Sequence, residues 1–228
     1  MTHLRRALPF LVSLACLALA GGARAQDTRP LDASAVPARG PRVEGFAPAG
    51  WKIVAQASGD LDGDARPDRV LHLVPRDAPD PSGVGNAPEA HALVIVLAAS
   101  GGGWRRAGVG SGLLVTEMPQ WGLRLTIRRG VLVVNQNFGW TDVLDVTHRF
   151  RRDAPSGRFV LIGRDEFQYH RPQGMYDTVR KSENYLTGVR LITTGRLQAD
   201  STYRDSVERQ RIPRSRTTFE DVREGDGG

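Results

Sequence analysis

From Trp51 onward the chain is written in apolar runs of four to eight residues, punctuated by Gly, Pro, Asp and Asn. That texture predicts strands joined by tight turns. The runs place strands at 51–57, 69–74, 92–98, 104–109, 123–128, 131–136, 143–151, 158–162, 176–185 and 189–193. Several read as hairpins. Residues 123–127 alternate apolar and polar, turn at Arg129-Gly130 and return as Val131-Leu132-Val133-Val134. Residues 143–151 turn at Ala154-Pro155-Ser156-Gly157, and Tyr185-Leu186 turns at Thr187-Gly188. A glycine in so short a connection supplies the positive φ that hairpin turns require. No window carries a long amphipathic helix, and 201–210 is assigned a short one. The expected fold is all-β: a compact antiparallel β-sandwich or an incomplete, propeller-like domain built of hairpins.

The flanks differ from this central region. Residues 1–25 combine a basic start, an apolar run over 7–20 and the small-x-small Ala23-Arg24-Ala25, the form of a cleavable signal peptide. The run is shorter than the ~20 residues a permanent membrane span needs, so an exported, soluble product (periplasmic or secreted) is expected. Residues 26–49, rich in Pro, Ala and Gly without apolar period, read as a flexible leader. Residues 50–198 form the β-domain and 199–228 a charged C-terminal tail. The 77–90 stretch, with three prolines and two glycines, reads as a long loop.

Removing the signal segment changes the charge and cysteine arithmetic. The formal net charge of the whole chain is +6. Without Arg5, Arg6 and Arg24 there remain 28 basic against 25 acidic residues, or +3. The one cysteine, Cys16, leaves as well, which excludes disulfides, thiol catalysis and Cys-ligated zinc from the exported product. Ser13 stands where a lipid-attachment motif carries Leu, and the apolar run continues past Cys16, which argues against a lipid anchor. Of 31 basic residues 29 are Arg, a skew that does not itself indicate phosphate recognition.

The most informative segment is Asp60-Leu61-Asp62-Gly63-Asp64-Ala65-Arg66-Pro67-Asp68. Carboxylates at relative positions 1, 3, 5 and 9 of one turn repel each other unless a cation neutralises them. Ca²⁺ does so with six to eight oxygens at relaxed geometry. The spacing matches the start of an EF-hand loop, in which position 7, here Arg66, donates its backbone carbonyl. Position 12 is Leu71 rather than a bidentate Glu, and flanking helices are absent from the pattern. The expectation is a strand-bounded calcium loop.

Ser58-Gly59-Asp60-Leu61-Asp62-Gly63-Asp64-Ala65-Arg66-Pro67-Asp68-Arg69-Val70 resembles the GDxDGDGxxDLVV loop of FG-GAP/VCBS repeats, the calcium loops borne on blades of integrin alpha-chain propellers. The resemblance implies Asp60, Asp62, Asp64 and Asp68 as side-chain ligands and Arg66 as a carbonyl ligand. Ala65 stands where the family has Gly. If that position is left-handed, Ala costs roughly 1 kcal/mol relative to Gly. A looser likeness runs from about residue 50 to 195, through Trp51-Lys52-Ile53, Asn86-Ala87-Pro88, His148-Arg149-Phe150-Arg151, Phe159-Val160-Leu161-Ile162-Gly163 and Thr193-Thr194-Gly195. It is similar to a group of exported bacterial proteins with a single such loop, and implies no activity. With one acidic loop and no internal repeat, the chain is about half the length a seven-bladed propeller would need.

Other features carry less chemistry. His72, His91, His148 and His170 show no zincin spacing and read as ordinary core or surface residues. Ser100-Gly101-Gly102-Gly103 lies between strands and reads as a hairpin turn rather than a phosphate cradle. Trp104, Trp121 and Trp140 read as core or half-buried strand residues rather than a sugar platform. Arg105-Arg106, Arg128-Arg129 and Arg151-Arg152 fall at strand ends and define a candidate polyanion-binding rim. The leading expectation is thus an exported, non-catalytic β-protein with a structural Ca²⁺ and an envelope or extracellular partner, without nucleic-acid binding. The alternatives are a metal-dependent hydrolase and a polyanion-binding module.

Overall fold

A computed structural model describes residues 30–78, 90–114, 120–170 and 176–223. Residues 1–29 (the expected signal peptide among them), most of the 77–90 loop and the last five residues lie outside the described part. Among the described residues, twelve strands form two antiparallel sheets. The first sheet contains β1 (Arg39–Gly40), β2 (Trp51–Gly59), β3 (Asp68–Pro75), β4 (Ala92–Ala98) and β5 (Trp104–Gly110), in the order β1-β5-β4-β3-β2. The second is a seven-stranded meander of β6 (Gln120–Arg128), β7 (Val131–Phe138), β8 (Asp142–Arg152), β9 (Phe159–His170), β10 (Thr178–Asn184), β11 (Val189–Leu197) and β12 (Tyr203–Arg211). The arrangement is all-β and compatible with the expected β-sandwich.

Burial explains the two kinds of strand. In β7 burial alternates strictly, with Leu132, Val134, Gln136 and Phe138 inward. In β4, by contrast, Ala92 to Leu97 are all buried, because both faces of the first sheet are covered. Leu93, Ile95 and Leu97 share a core with Leu132, Val134, Phe150 and Phe159 of the second sheet. Ala92, Val94 and Val96 face the other way and pack with Leu31, Val36 and Phe46. A near-continuous apolar run is the sequence signature of a strand covered on both faces.

The partners on those two faces correct the flexible-terminus expectations. Residues 30–49, expected as a flexible leader, form 3₁₀ turns at Ala33–Ala35 and Val43–Phe46 and bury Phe46 completely. The Arg106 guanidinium donates to the carbonyls of Ala33 and Val36, pinning the segment to β5. Three scattered apolar residues suffice because the sheet supplies the rest of the cluster. The charged tail is likewise ordered through residue 223. After β12 the chain returns into the shared core, where Phe219 and Val222 are fully buried. The Phe219 amide donates to the Phe159 carbonyl at 2.8 Å.

The helix assigned to 201–210 is instead β12. Almost all of its side chains are exposed, so no alternation marks it as a strand. Its backbone pairing with β11, from Val189↔Arg211 to Leu197↔Tyr203, sets the structure. A charged edge strand of this kind also discourages pairing with another chain. The hairpin expectations hold well. Arg129 and Gly130 have φ of 51° and 74°, the two positive values of a type I′ turn.

Candidate metal centre

The acidic loop joins β2 to β3, whose register runs from Trp51↔Pro75 to Gly59↔Asp68. Asp60 organises the turn. Its Oδ1 accepts the Gly63 amide at 2.7 Å and its Oδ2 the Ala65 amide at 3.0 Å. The Gly63 amide is the main reason the Asp60 carboxyl sits below its usual range, against a smaller opposing effect of desolvation.

Asp68 is completely buried and braces the loop from below. Its Oδ2 accepts the Leu61 amide at 2.8 Å, and its Oδ1 the amide of Ala98, at the end of β4, at 2.9 Å. Leu61 itself is a core residue, so the turn is anchored by a side chain as well as by hydrogen bonds. Burial pushes the Asp68 carboxyl up; the two amides oppose this, and the charges of Asp62 and Asp64 add to it.

Asp60, Asp62 and Asp68 each contribute one carboxylate oxygen to a cluster in which these atoms lie within 4.8 Å of one another. Among the described residues this is the one such group of three or more metal-ligating side chains. The Asp62 side chain is only 9% exposed; Arg105 lies 3.3 Å from its Oδ2. Its Oδ1 is buried with no hydrogen-bond partner among the described residues. A buried carboxylate oxygen left in that state is costly unless a proton or cation satisfies it. The donor set is all oxygen, which suits a hard divalent cation.

The remaining expected ligands are arranged differently. Asp64 stands outside the cluster: its Oδ1 accepts the Arg66 amide at 2.8 Å and its Oδ2 pairs with the Arg66 guanidinium. That guanidinium also approaches the Ala98 carbonyl at 3.5 Å. Ala65 has φ of 65°, so the left-handed conformation considered for this position is present. Arg105 was legible only as part of a basic pair, because its approach to Asp62 spans 43 positions.

The other candidates stand outside the acidic cluster, and Trp140 departs from the half-buried placement expected of it. The Nε2 of His72 lies 3.0 Å from the Nδ1 of His91 in a buried, stacked pair. His148 is buried on β8, and His170 pairs with Asp142. Trp104 is half-buried beneath the Arg69 guanidinium, whereas Trp140 is 56% exposed and the Trp121 side chain lies outside the described part. Arg105 and Arg106 have internal partners, which takes one pair out of the expected arginine rim. The Ser100–Gly103 segment does connect β4 to β5 as a turn. No helix among the described residues is long and apolar enough to cross a membrane. No protein-family model, curated protein or solved structure matches the chain.

Proposed function

We propose that this is an exported, non-catalytic β-protein whose 60–68 loop binds Ca²⁺, the ion serving to fix the loop against the ends of β4 and β5. The observation that carries this reading is the buried Asp62 Oδ1 without a hydrogen-bond partner, within a cluster completed by Asp60 and Asp68. Asp60, Asp62 and Asp68 would hold the ion, with Asp64 and the Arg66 carbonyl added as the FG-GAP/VCBS resemblance implies. Calcium is favoured over zinc because the cluster offers no nitrogen or sulfur, and over magnesium because Ca²⁺ accepts irregular oxygen shells. The loop presents the ion at one end of the first sheet, where an envelope or extracellular partner would meet it.

Thermal unfolding of the full chain in Ca²⁺ and in EDTA tests the proposal. At free calcium of about 100 times Kd the ion contributes ~2.7 kcal/mol. For a chain of this size that raises Tm by roughly 5–10 °C. Asp62→Asn keeps the shape of the side chain and removes the rise. Equal melting in both buffers overturns the proposal.

One observation favours a second, compatible reading as an anion-binding module. Arg151, Arg152 and Arg216 line a recess of about 380 Å³ with Leu186 and Asp153. The Arg152 Nε is buried there with no hydrogen-bond partner among the described residues. Heparin binding that weakens steeply with salt and is lost in Arg152→Gln supports it. Binding indifferent to salt excludes it.

A further inference from the structure

Strands β9–β12 carry a second concavity, of about 560 Å³, on the face opposite Arg164 and Glu183. None of its lining residues belongs to the acidic loop. Two rows of cross-strand partners build its floor. Phe167 pairs with Arg180 and Arg180 with Thr193, while Thr178 pairs with Gly195 and Gly195 with Asp205. Partners directly opposite one another present side chains to the same face.

Gly195 lies at the centre, and its neighbours close over it. A Cβ there would come within 2.6 Å of Thr178 Oγ1, 3.1 Å of Asp205 Oδ1 and 3.3 Å of Tyr203 Cδ1. A hydroxyl, a carboxylate and an aromatic edge therefore converge on one point. The walls are held in place. The Tyr203 hydroxyl donates to the Tyr176 carbonyl at 2.9 Å. The His170 ring packs on Tyr176 at 4.3 Å, and Phe167 and Tyr169 stack at 5.0 Å. Tyr176 and Tyr203 nonetheless remain 49% and 39% exposed. The volume falls within the range of roughly 300–1,000 Å³ usual for small-ligand sites.

Charge selects the class of occupant. Aromatic walls alone would suit an organic cation, but the Arg180 guanidinium already covers the Phe167 face at 4.7 Å. Asp205 opposes an anion, and His170 is paired with Asp142. One guanidinium and one carboxylate remain, balanced. Such a groove matches a neutral molecule with apolar faces and many hydroxyls. We propose that it binds a neutral oligosaccharide. A pyranose ring lays its C–H face against Tyr176 or Tyr203, and its hydroxyls donate to Asp205 and Thr178 and accept from Arg180.

Calorimetric titration of the full chain with cellohexaose, chitohexaose and maltohexaose tests this, with choline and hexagalacturonate as charged probes. At least one neutral hexasaccharide should bind in the micromolar-to-millimolar range, equally in EDTA and in Ca²⁺. That independence separates the site from the calcium loop. Asp205 is exposed and makes no ion pair among the described residues, so Asp205→Asn preserves the fold. It should weaken binding about 10-fold or more, as expected for a lost charged hydrogen bond. Tyr203→Ala should do likewise by removing a stacking surface. Failure of all three sugars at millimolar concentration overturns the proposal, as does binding unchanged in both variants or binding of a charged probe instead.

Discussion

The carboxylate of Asp68 accepts the backbone amide of Ala98 across 30 positions of sequence, at 2.9 Å. This bond makes the acidic loop part of the sheet rather than an appendage. Asp68 lies at the start of β3 and Ala98 at the end of β4, two strands already paired from Arg69↔Val96 to Leu73↔Ala92. Its other oxygen takes the Leu61 amide, so one buried side chain satisfies two amides that the strand ladders leave over. Asp68→Ala should therefore destabilise the protein even without metal, by about 2–4 kcal/mol, since two donors are orphaned. Urea unfolding in EDTA measures this. Asp62→Asn, measured alongside, should lose far less, because Asp62 braces no backbone amide in the structure.

Ala65 makes a prediction of the opposite sign. Its φ of 65° places an L side chain in the left-handed region, and its amide is held there by Asp60. Ala65→Gly removes that strain and should stabilise the metal-free protein by roughly 1 kcal/mol, less any entropy gained by the unfolded chain. The same change tightens calcium binding only by as much as the strain at Ala65 is greater in the loaded loop than in the empty one. Urea midpoints in EDTA and a calcium titration of both proteins check the two effects separately.

The loop was legible because its chemistry is local: four acidic residues within nine positions. Legible too were the ten main strands, whose runs and turn residues lie close together in sequence. What the sequence pattern concealed depends on distant partners. Phe46 and Phe219 sit in segments too sparse in apolar residues to fold alone, yet each fits a cluster that the sheets have already assembled. Likewise β12 takes its conformation from β11 rather than from its own polar side chains. The oligosaccharide groove gave no motif, since Phe167, Arg180, Gly195 and Asp205 become neighbours only through strand register.

The buried histidine pair gives the fold an acid sensitivity. Desolvation, reinforced by His91, pushes the His72 pKa from 6.5 down to about 3. The unfolded chain thus takes up this proton before the folded one does. The contribution to stability is intact above pH 6.5 and is lost as the pH falls toward 3. The slope approaches ~1.4 kcal/mol per pH unit for one proton. Unfolding free energies at pH 7 and pH 5, where most carboxylates stay ionised, measure the loss, and comparison with a His72 variant assigns it. His72→Gln keeps a polar group toward His91 and should lose clearly less stability over that interval.

The return of the chain after β12 can be tested most directly at Phe219. Its ring meets Phe150 edge-on at 5.1 Å and lies over Gly108 and Gly110 of β5, where an added Cβ would approach it to 3.1 Å at either position. The two glycines, spaced so that both open on one face of the strand, leave a slot between the sheets that this aromatic ring fills. Phe219→Ala should empty the slot and cost about 3–5 kcal/mol. Gly110→Val fills it from the other side and should cost a comparable amount by overpacking the same contact. If the charged segment were only an exposed tail, neither change would move the urea midpoint by more than a few tenths of a molar. Since both residues are buried at this contact, a large shift in each is expected. In the double variant the losses should fall short of additive, because the two changes act on one cavity.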